Sequence, residues 1–385
     1  MALVIEQNSY QTNKQLEMLL HRMCSKLQIS PSMHETVECS YHAVSKVLEQ
    51  SIYFKESDLQ IYPQGSLRIG TTVRPFGSQE FDLDFVMQVN NIRFQNIKSP
   101  VEFLQNVYKV LYNHGVYRDK VELKNRCVRI NYANNFHMDI LPAIPVSGVH
   151  EHCIVVPDRA AANWKDSNPK GYAEWFQKIA ENYTPWNFEI IEKAEVQRLP
   201  ELETIDEKPP LKRAVQMLKR FRDYYFQTEV KIAPISIVLT TLAAHHYKGQ
   251  GSVYDTMKGI LDGIKEQIRD CSRIRVYNPK NHKELLSERW EEDPSLYTHF
   301  VDFIHHFSTK WDTILNINGL DKFGKEMSGL FGEDLMKSTL KDHATYQQAM
   351  RTNGQLSIAP SGIILPTTIG LTDSIPIKKN TFFGN

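Results

Sequence analysis

Three aspartates define the chemistry this chain is equipped to do. Asp82 and Asp84 lie in the apolar run FDLDFVMQV at 81–89, and Asp139 lies in FHMDIL at 136–141. Side chains alternate along a strand, so Asp82 and Asp84 share one face while Phe81, Leu83 and Phe85 share the other. In the second run Asp139 and His137 share a face, opposite Phe136, Met138 and Ile140. Two carboxylates this close repel, which raises one pKa or demands a cation. If the two strands are neighbours, Asp139 joins the pair. Three carboxylate oxygens suit Mg²⁺ and the two-metal chemistry of phosphoryl transfer. His137 reads as a structural neighbour of Asp139.

Gly65 and Ser66 supply a second feature. They follow the strand-like LQIY (59–62) and precede LRIG, a helix start. Such a junction offers backbone N–H groups and a hydroxyl to a phosphate. A bare Gly-Ser is an ordinary turn; fifteen residues (67–81) separate Ser66 from Asp82, and that placement gives it meaning. Further on, Leu211, Ala214, Val215, Leu218, Phe221 and Tyr225 form the apolar stripe of a helix over 211–226. Lys212 and Lys219, seven apart, fall on one side of it, where they could meet a polyphosphate. Trp164, Asn168 and Tyr172 could line a base pocket, by stacking and by an amide edge.

These residues need a mixed framework to hold them. Helices are expected within 10–55, at 100–113 (Ser99 as cap and Pro100 in the first turn), 171–182, 234–247, 254–270 and 294–315. Strands are expected at 59–62, 81–89, 127–132 and 136–141, with Pro142 and Pro145 ending the last one. The polar run at 201–210, closed by two prolines, reads as a linker or helix start. The fold class is α+β.

The length of 385 residues fits two domains. With 45 basic and 45 acidic residues the net charge is zero, which argues against a protein that coats nucleic acid. Five dispersed cysteines fit neither a disulfide framework nor a zinc ribbon, and point to a reducing, cytoplasmic setting. The N-terminus lacks the pattern of a signal peptide, and no apolar run is long enough for a membrane span.

Gly65-Ser66, Asp82-x-Asp84 and Asp139 resemble the DNA polymerase β-like nucleotidyltransferase superfamily. SNPKGYAEWF (167–176), LKRAVQMLKRFRDYYF (211–226), PISIVLTTLAAHHY (234–247) and NPKNHKELLSERW (278–290) narrow the resemblance to the bacterial CD-NTases, the cyclic-oligonucleotide synthases related to cyclic GMP-AMP synthase. The resemblance spans roughly 60–315. It implies a polymerase β-like nucleotidyltransferase core with N-terminal helices (1–200), a helical, oligoadenylate synthetase-like domain (201–351) and an extended or partly disordered tail (352–385). It implies that Asp82, Asp84 and Asp139 are catalytic and bind two Mg²⁺ ions, or Mn²⁺, with Asp139 on the ion that activates the attacking hydroxyl. Gln64, Gly65 and Ser66 then hold the donor triphosphate, and Lys219, Ser236, Lys212 and Asn168 complete the nucleotide site.

The implied activity joins NTPs (ATP, with GTP or a pyrimidine NTP as further substrates) into a cyclic di- or trinucleotide second messenger for anti-phage signalling. Two alternatives stand beside it. One is an oligoadenylate- or poly(A)/tRNA-type enzyme making a linear product, which the basic run at 208–222 would serve. The other is a non-catalytic nucleotide sensor. No zinc insertion is present and the charge is balanced, so no long DNA or RNA activator is expected. The terminal KKNTFFGN is compatible with attachment by a ubiquitin-transfer-like partner.

Overall fold

A computed structural model describes residues 2–54, 58–77, 80–90, 99–132, 136–146, 152–181, 197–317, 319–359, 362, 364–367 and 374–377. Helices α1 (Ala2–Leu27) and α2 (Pro31–Glu49) open the chain. A seven-stranded sheet follows: β1 (Leu59–Pro63), β2 (Phe81–Val89), β3 (Val121–Leu123), β4 (Val128–Tyr132), β5 (Phe136–Pro145), β6 (Ile154–Asp158) and β7 (Asn163–Ser167). Its main path runs β1-β2-β5-β4-β3, with β6 and β7 added at the far end of β5. Only the β2–β5 pair is parallel within this path; β1–β2, β5–β4 and β4–β3 are antiparallel.

Alternation along these strands separates core from site. Phe81, Leu83, Phe85, Met138 and Ile140 point to a core closed by α2 and by α4 (Pro100–Asn113). The second of these starts as its sequence predicts, with the Glu102 N–H donating to Ser99 Oγ at 3.2 Å and Pro100 in the first turn. Between them lies the short α3 (Gly65–Arg68). The opposite sheet face carries the aspartates at one end and a small apolar cluster of Tyr62, Val86, Ala143, Ile154 and Val156 at the other.

The helical half contains α5 (Pro169–Glu181), α6 (Pro210–Tyr225), α7 (Ser236–His246), α8 (Val253–Asp270), the hairpin β8 (Tyr277–Asn278) and β9 (Asn281–Leu285), α9 (Glu288–Glu292), α10 (Pro294–Thr313), α11 (Leu320–Phe331) and α12 (Glu333–Thr352). Among the described residues no helix is long and apolar enough to cross a membrane.

Several expectations change. The two cores do not divide at residue 200. Leu16, Leu19, Leu20, Met23, Cys24 and Leu27 of α1, and Tyr172, Ala173 and Phe176 of α5, bury their apolar faces among the later helices. Arg22 of α1 donates to Asp342 of α12 at 2.6 Å, and Lys26 reaches the same carboxylate at 3.1 Å. β5 does not stop at Pro142. It pairs with β4 only as far as Ile140 and with β6 only from Ile144, so the missing N–H of Pro142 falls where that edge has no partner. Within the tail, expected to be extended or partly disordered, β10 (Leu356–Ile358), β11 (Ile364–Pro366) and β12 (Ile375–Pro376) form a small antiparallel sheet. The terminal KKNTFFGN, the expected attachment end, lies outside the described residues.

Candidate active site

Register brings the aspartates together. In the parallel β2–β5 pair Asp84 sits opposite Asp139 and Asp82 opposite His137. The condition set by the sequence, that the two strands be neighbours, is met. Asp82 is the outermost, with 58% of its side chain exposed, while Asp139 is 13% exposed. Burial, with Asp139 and Asp82 adding like charge, pushes the Asp84 carboxyl up to about 7. Burial first, then Asp139, also raises Asp82, against the pull of Arg129.

Arg129 stands at the centre of this group and was not anticipated. Its Nε donates to Asp139 Oδ1 at 2.7 Å and its Nη2 to Asp139 Oδ2 at 2.7 Å; Nη2 also donates to Asp82 Oδ1 at 3.2 Å. A bidentate guanidinium of this kind is among the stronger protein hydrogen-bonding arrangements. Antiparallel β4 delivers it, with Arg129 opposite Asp139. His137 Nε2 lies 3.0 Å from Glu80 Oε2, on the rim beside Asp82, in keeping with a structural part for His137. Glu80 shares the Asp82–Asp84 face by the same alternation and also went unread.

Across from the sheet, Gly65 opens α3 with φ +59, a backbone region that favours glycine. The Gln64 N–H donates to the Asp84 carbonyl at 2.8 Å and pins this turn to β2. Ser66 Oγ accepts from Thr72 at 3.3 Å. From the helical half come Lys219, Arg222 and Ser236. Lys219 Nζ donates to the Thr71 carbonyl at 3.0 Å, and burial, with the repulsion of Arg222 adding to it, lowers its pKa to about 8. Arg222 donates to Ser236 Oγ and pairs with Asp223.

Two cavities flank Gly65 and Asp84. One, of about 300 Å³, is lined by Gly65, Ser66, Asp82, Asp139, Lys219 and Ser236. The other, of about 680 Å³, is lined by Gln64, Arg126, Trp164, Lys165, Asp166 and Tyr172. Gly65, Ile69, Asp84 and Ile237 belong to both walls.

Two expected residues, Lys212 and Asn168, stand elsewhere than their assigned roles need. Lys212 is buried and paired with Glu203, away from the aspartates. Seven helical residues restore the angle but advance about 10 Å along the axis, enough to carry Lys212 under the strand-like strap at 201–204. Asn168 is buried with its amide committed: Oδ1 accepts from the Gly171 N–H at 2.9 Å, and Nδ2 donates to the Lys280 carbonyl at 3.3 Å. It caps α5 and has no edge to spare for a base. Tyr172 lines the larger cavity, but its hydroxyl is tied to Thr241 at 2.9 Å. The basic run at 208–222 is no exposed stripe either: Lys208, Lys212, Lys219 and Arg220 are buried.

Comparison with known proteins now decides the family. The chain is 34% identical over 375 residues to a c-di-GMP synthase of Roseivirga ehrenbergii, an alignment covering 96% of this chain and 98% of that one. The chain belongs to the bacterial CD-NTases. Residues 14–180 match the Second Messenger Oligonucleotide or Dinucleotide Synthetase domain. Among solved CD-NTase structures, that of Bradyrhizobium diazoefficiens CdnG in complex with GTP superimposes with a TM-score of 0.70 at 21% identity, covering 86% of this chain and 98% of that one. Escherichia coli DncV in a 3′-deoxy GTP bound form gives 0.56 at 17% identity, covering 87% and 93%. These likenesses establish the expected polymerase β-like core and helical domain. As a CD-NTase, this chain is a nucleotidyltransferase that makes a nucleotide second messenger from nucleoside triphosphates, in a family that works with divalent metal ions.

Whether the aspartates suit such ions is answered by their own chemistry. All three offer hard oxygen donors, and a divalent cation would offset both the burial and the like charge that lift Asp84. Among the described residues no three acidic, histidine or cysteine side chains already form a metal cage. Arg129 occupies the gap between Asp82 and Asp139 instead.

Proposed function

We propose that this CD-NTase joins two nucleoside triphosphates, GTP foremost, into a cyclic dinucleotide with release of pyrophosphate. The observation that carries this reading is the pair of cavities meeting at Gly65 and Asp84. An enzyme that joins two nucleotides needs two places for them with the reacting atoms at the shared wall. GTP is favoured because the relative aligned over nearly the full length is a c-di-GMP synthase.

In this reading Asp82, Asp84 and Asp139 hold two Mg²⁺ or Mn²⁺ ions. When bound, these ions activate the attacking ribose hydroxyl and stabilise the leaving pyrophosphate. Ser66, Lys219, Arg222 and Ser236 grip the triphosphate in the smaller cavity, where a cation is worth more than in open water. Trp164 offers an aromatic surface to a base in the larger one. Arg126 lines this cavity too, donating to Asp158 at 2.8 Å and to Glu288 at 2.7 Å, and so ties sheet to helical half. All five cysteines are free, which fits a cytoplasmic enzyme, and anti-phage signalling is the setting we assign.

Incubation with Mg²⁺ and labelled NTPs, singly and mixed, tests this directly. The expected result is pyrophosphate plus a phosphatase-resistant product whose mass is that of two linked guanylates. A phosphatase-sensitive linear product would overturn the cyclic assignment, and activity that appears only with added RNA would favour a strand-extending enzyme.

A further inference from the structure

Arg129 does more than steady Asp139. A guanidinium that only oriented this carboxylate would need its two bonds of 2.7 Å and no others. Its third bond, from Nη2 to Asp82 Oδ1 at 3.2 Å, places one nitrogen between the carboxylates of two different strands. A single Nη2 thus joins Asp82 and Asp139, in the gap that a shared divalent ion would also take. Arg129 keeps 23% of its side chain exposed, so it has room to swing outward. No partner other than these two aspartates holds the guanidinium among the described hydrogen bonds and ion pairs.

We infer that Arg129 is a built-in placeholder cation: it fills the gap between Asp82 and Asp139 in the metal-free enzyme and must release Asp82 before a divalent ion is shared there. The inference rests on reading the three aspartates as the metal site. Its consequence is competition. A bare ion must displace a guanidinium held by three hydrogen bonds, so the empty enzyme takes up metal weakly. An ion arriving with a triphosphate brings anionic oxygens that give the displaced guanidinium a new partner. Occupancy of the site is thereby linked to the presence of nucleotide.

The test is Mn²⁺ binding to nucleotide-free protein, followed by electron paramagnetic resonance, for wild type, Arg129→Met and Arg129→Lys. Arg129→Met keeps the length and removes the charge. It is expected to lower the Mn²⁺ dissociation constant by about 10- to 100-fold, the size of neighbour effects at metal sites. Arg129→Lys keeps the charge but loses the fork, and is expected to fall between the two. Without metal, Arg129→Met should melt below wild type, and Mn²⁺ should raise its melting temperature by more than it raises that of wild type. A site merely damaged by the substitution binds more weakly, so tighter binding cannot come from misfolding. An unchanged or higher dissociation constant in both variants, or no detectable Mn²⁺ binding by either, overturns the placeholder. The metal-site reading itself is judged separately, by the loss of pyrophosphate release in Asp84→Asn.

Discussion

A side chain at Gly65 would place its first carbon 2.8 Å from Oδ2 of Asp84. The turn after β1 and the deepest aspartate are therefore fitted to each other without spare room. Gly65→Ala combines that clash with a left-handed φ, a backbone cost of about 1–2 kcal/mol for a non-glycine residue. We expect a melting temperature lower by a few degrees with the fold retained, and pyrophosphate release reduced about 100-fold because Asp84 is pushed out of line. Melting curves and a pyrophosphate assay on the same preparation check both halves.

Asp84→Asn separates catalysis from folding. Loss of a metal-holding carboxylate should reduce pyrophosphate release about 1000-fold or more. The same change removes a carboxylate disfavoured by burial and crowded by Asp82 and Asp139, so metal-free protein should melt no lower than wild type. A lower melting temperature would show that Asp84 holds up the fold.

Lys219 and Lys212 occupy the same side of one helix and should behave oppositely. Lys219→Met should raise the KM for GTP about tenfold or more, the worth of one charge-assisted hydrogen bond, with a small change in melting temperature. Lys212→Met leaves the half-buried Glu203 with Lys208 as its ion-pair partner, so it should lower stability by about 1–3 kcal/mol and leave KM near wild type. Steady-state kinetics and thermal melts on the two variants give the comparison.

Lys208 supplies a pH signature remote from the aspartates. It is buried, donates to the Gly70 carbonyl at 2.6 Å, and burial, partly offset by Glu203, lowers its pKa to about 8. Its folded value lies below its unfolded one, so between about pH 8 and 10.5 the unfolded chain binds more protons at this site. Stability from this group therefore rises with pH across that window, by at most about 1.4 kcal/mol per unit. Between pH 8 and 9.5 wild type should gain stability relative to Lys208→Met, and denaturant titrations at the two pH values read the difference. A constant difference would mean that Lys208 titrates normally.

The sequence made the aspartates legible because strand alternation is strict and the apolar neighbours of Asp82 and Asp84 are unambiguous. Arg129 was within reach by the same logic. CVRINY and FHMDIL are separated by three residues (133–135), so counting outward from that connection pairs Tyr132 with Phe136 and Arg129 with Asp139. Other features were closed to such counting. The amide of Asn168 finds its partner far along the chain, at Lys280, and the ammonium of Lys212 is taken by Glu203 in the irregular strap before its helix, where no periodic spacing announces the pair. β6 and β7 hide because Pro157 interrupts one and NWKDS has no apolar alternation. The helices at 320–352 escape a reading by caps because Gly319 and Gly332, without a capping side chain, start them where serine or aspartate is the expected signal.

The seat of α1 has a bearing on how the wall opposite the aspartates is held. α6, which carries Lys219, packs with α1, the first helix of the chain, and with α11, near the end. α1 is in turn anchored to α12 through Arg22, Lys26 and Asp342. Both sides of the lysine-bearing wall thus depend on segments far apart in sequence, Ala2–Leu27 and Leu320–Phe331. Loosening the contact of α1 with α12 would therefore slacken the wall that carries Lys219, while the sheet that carries the aspartates keeps a core of its own.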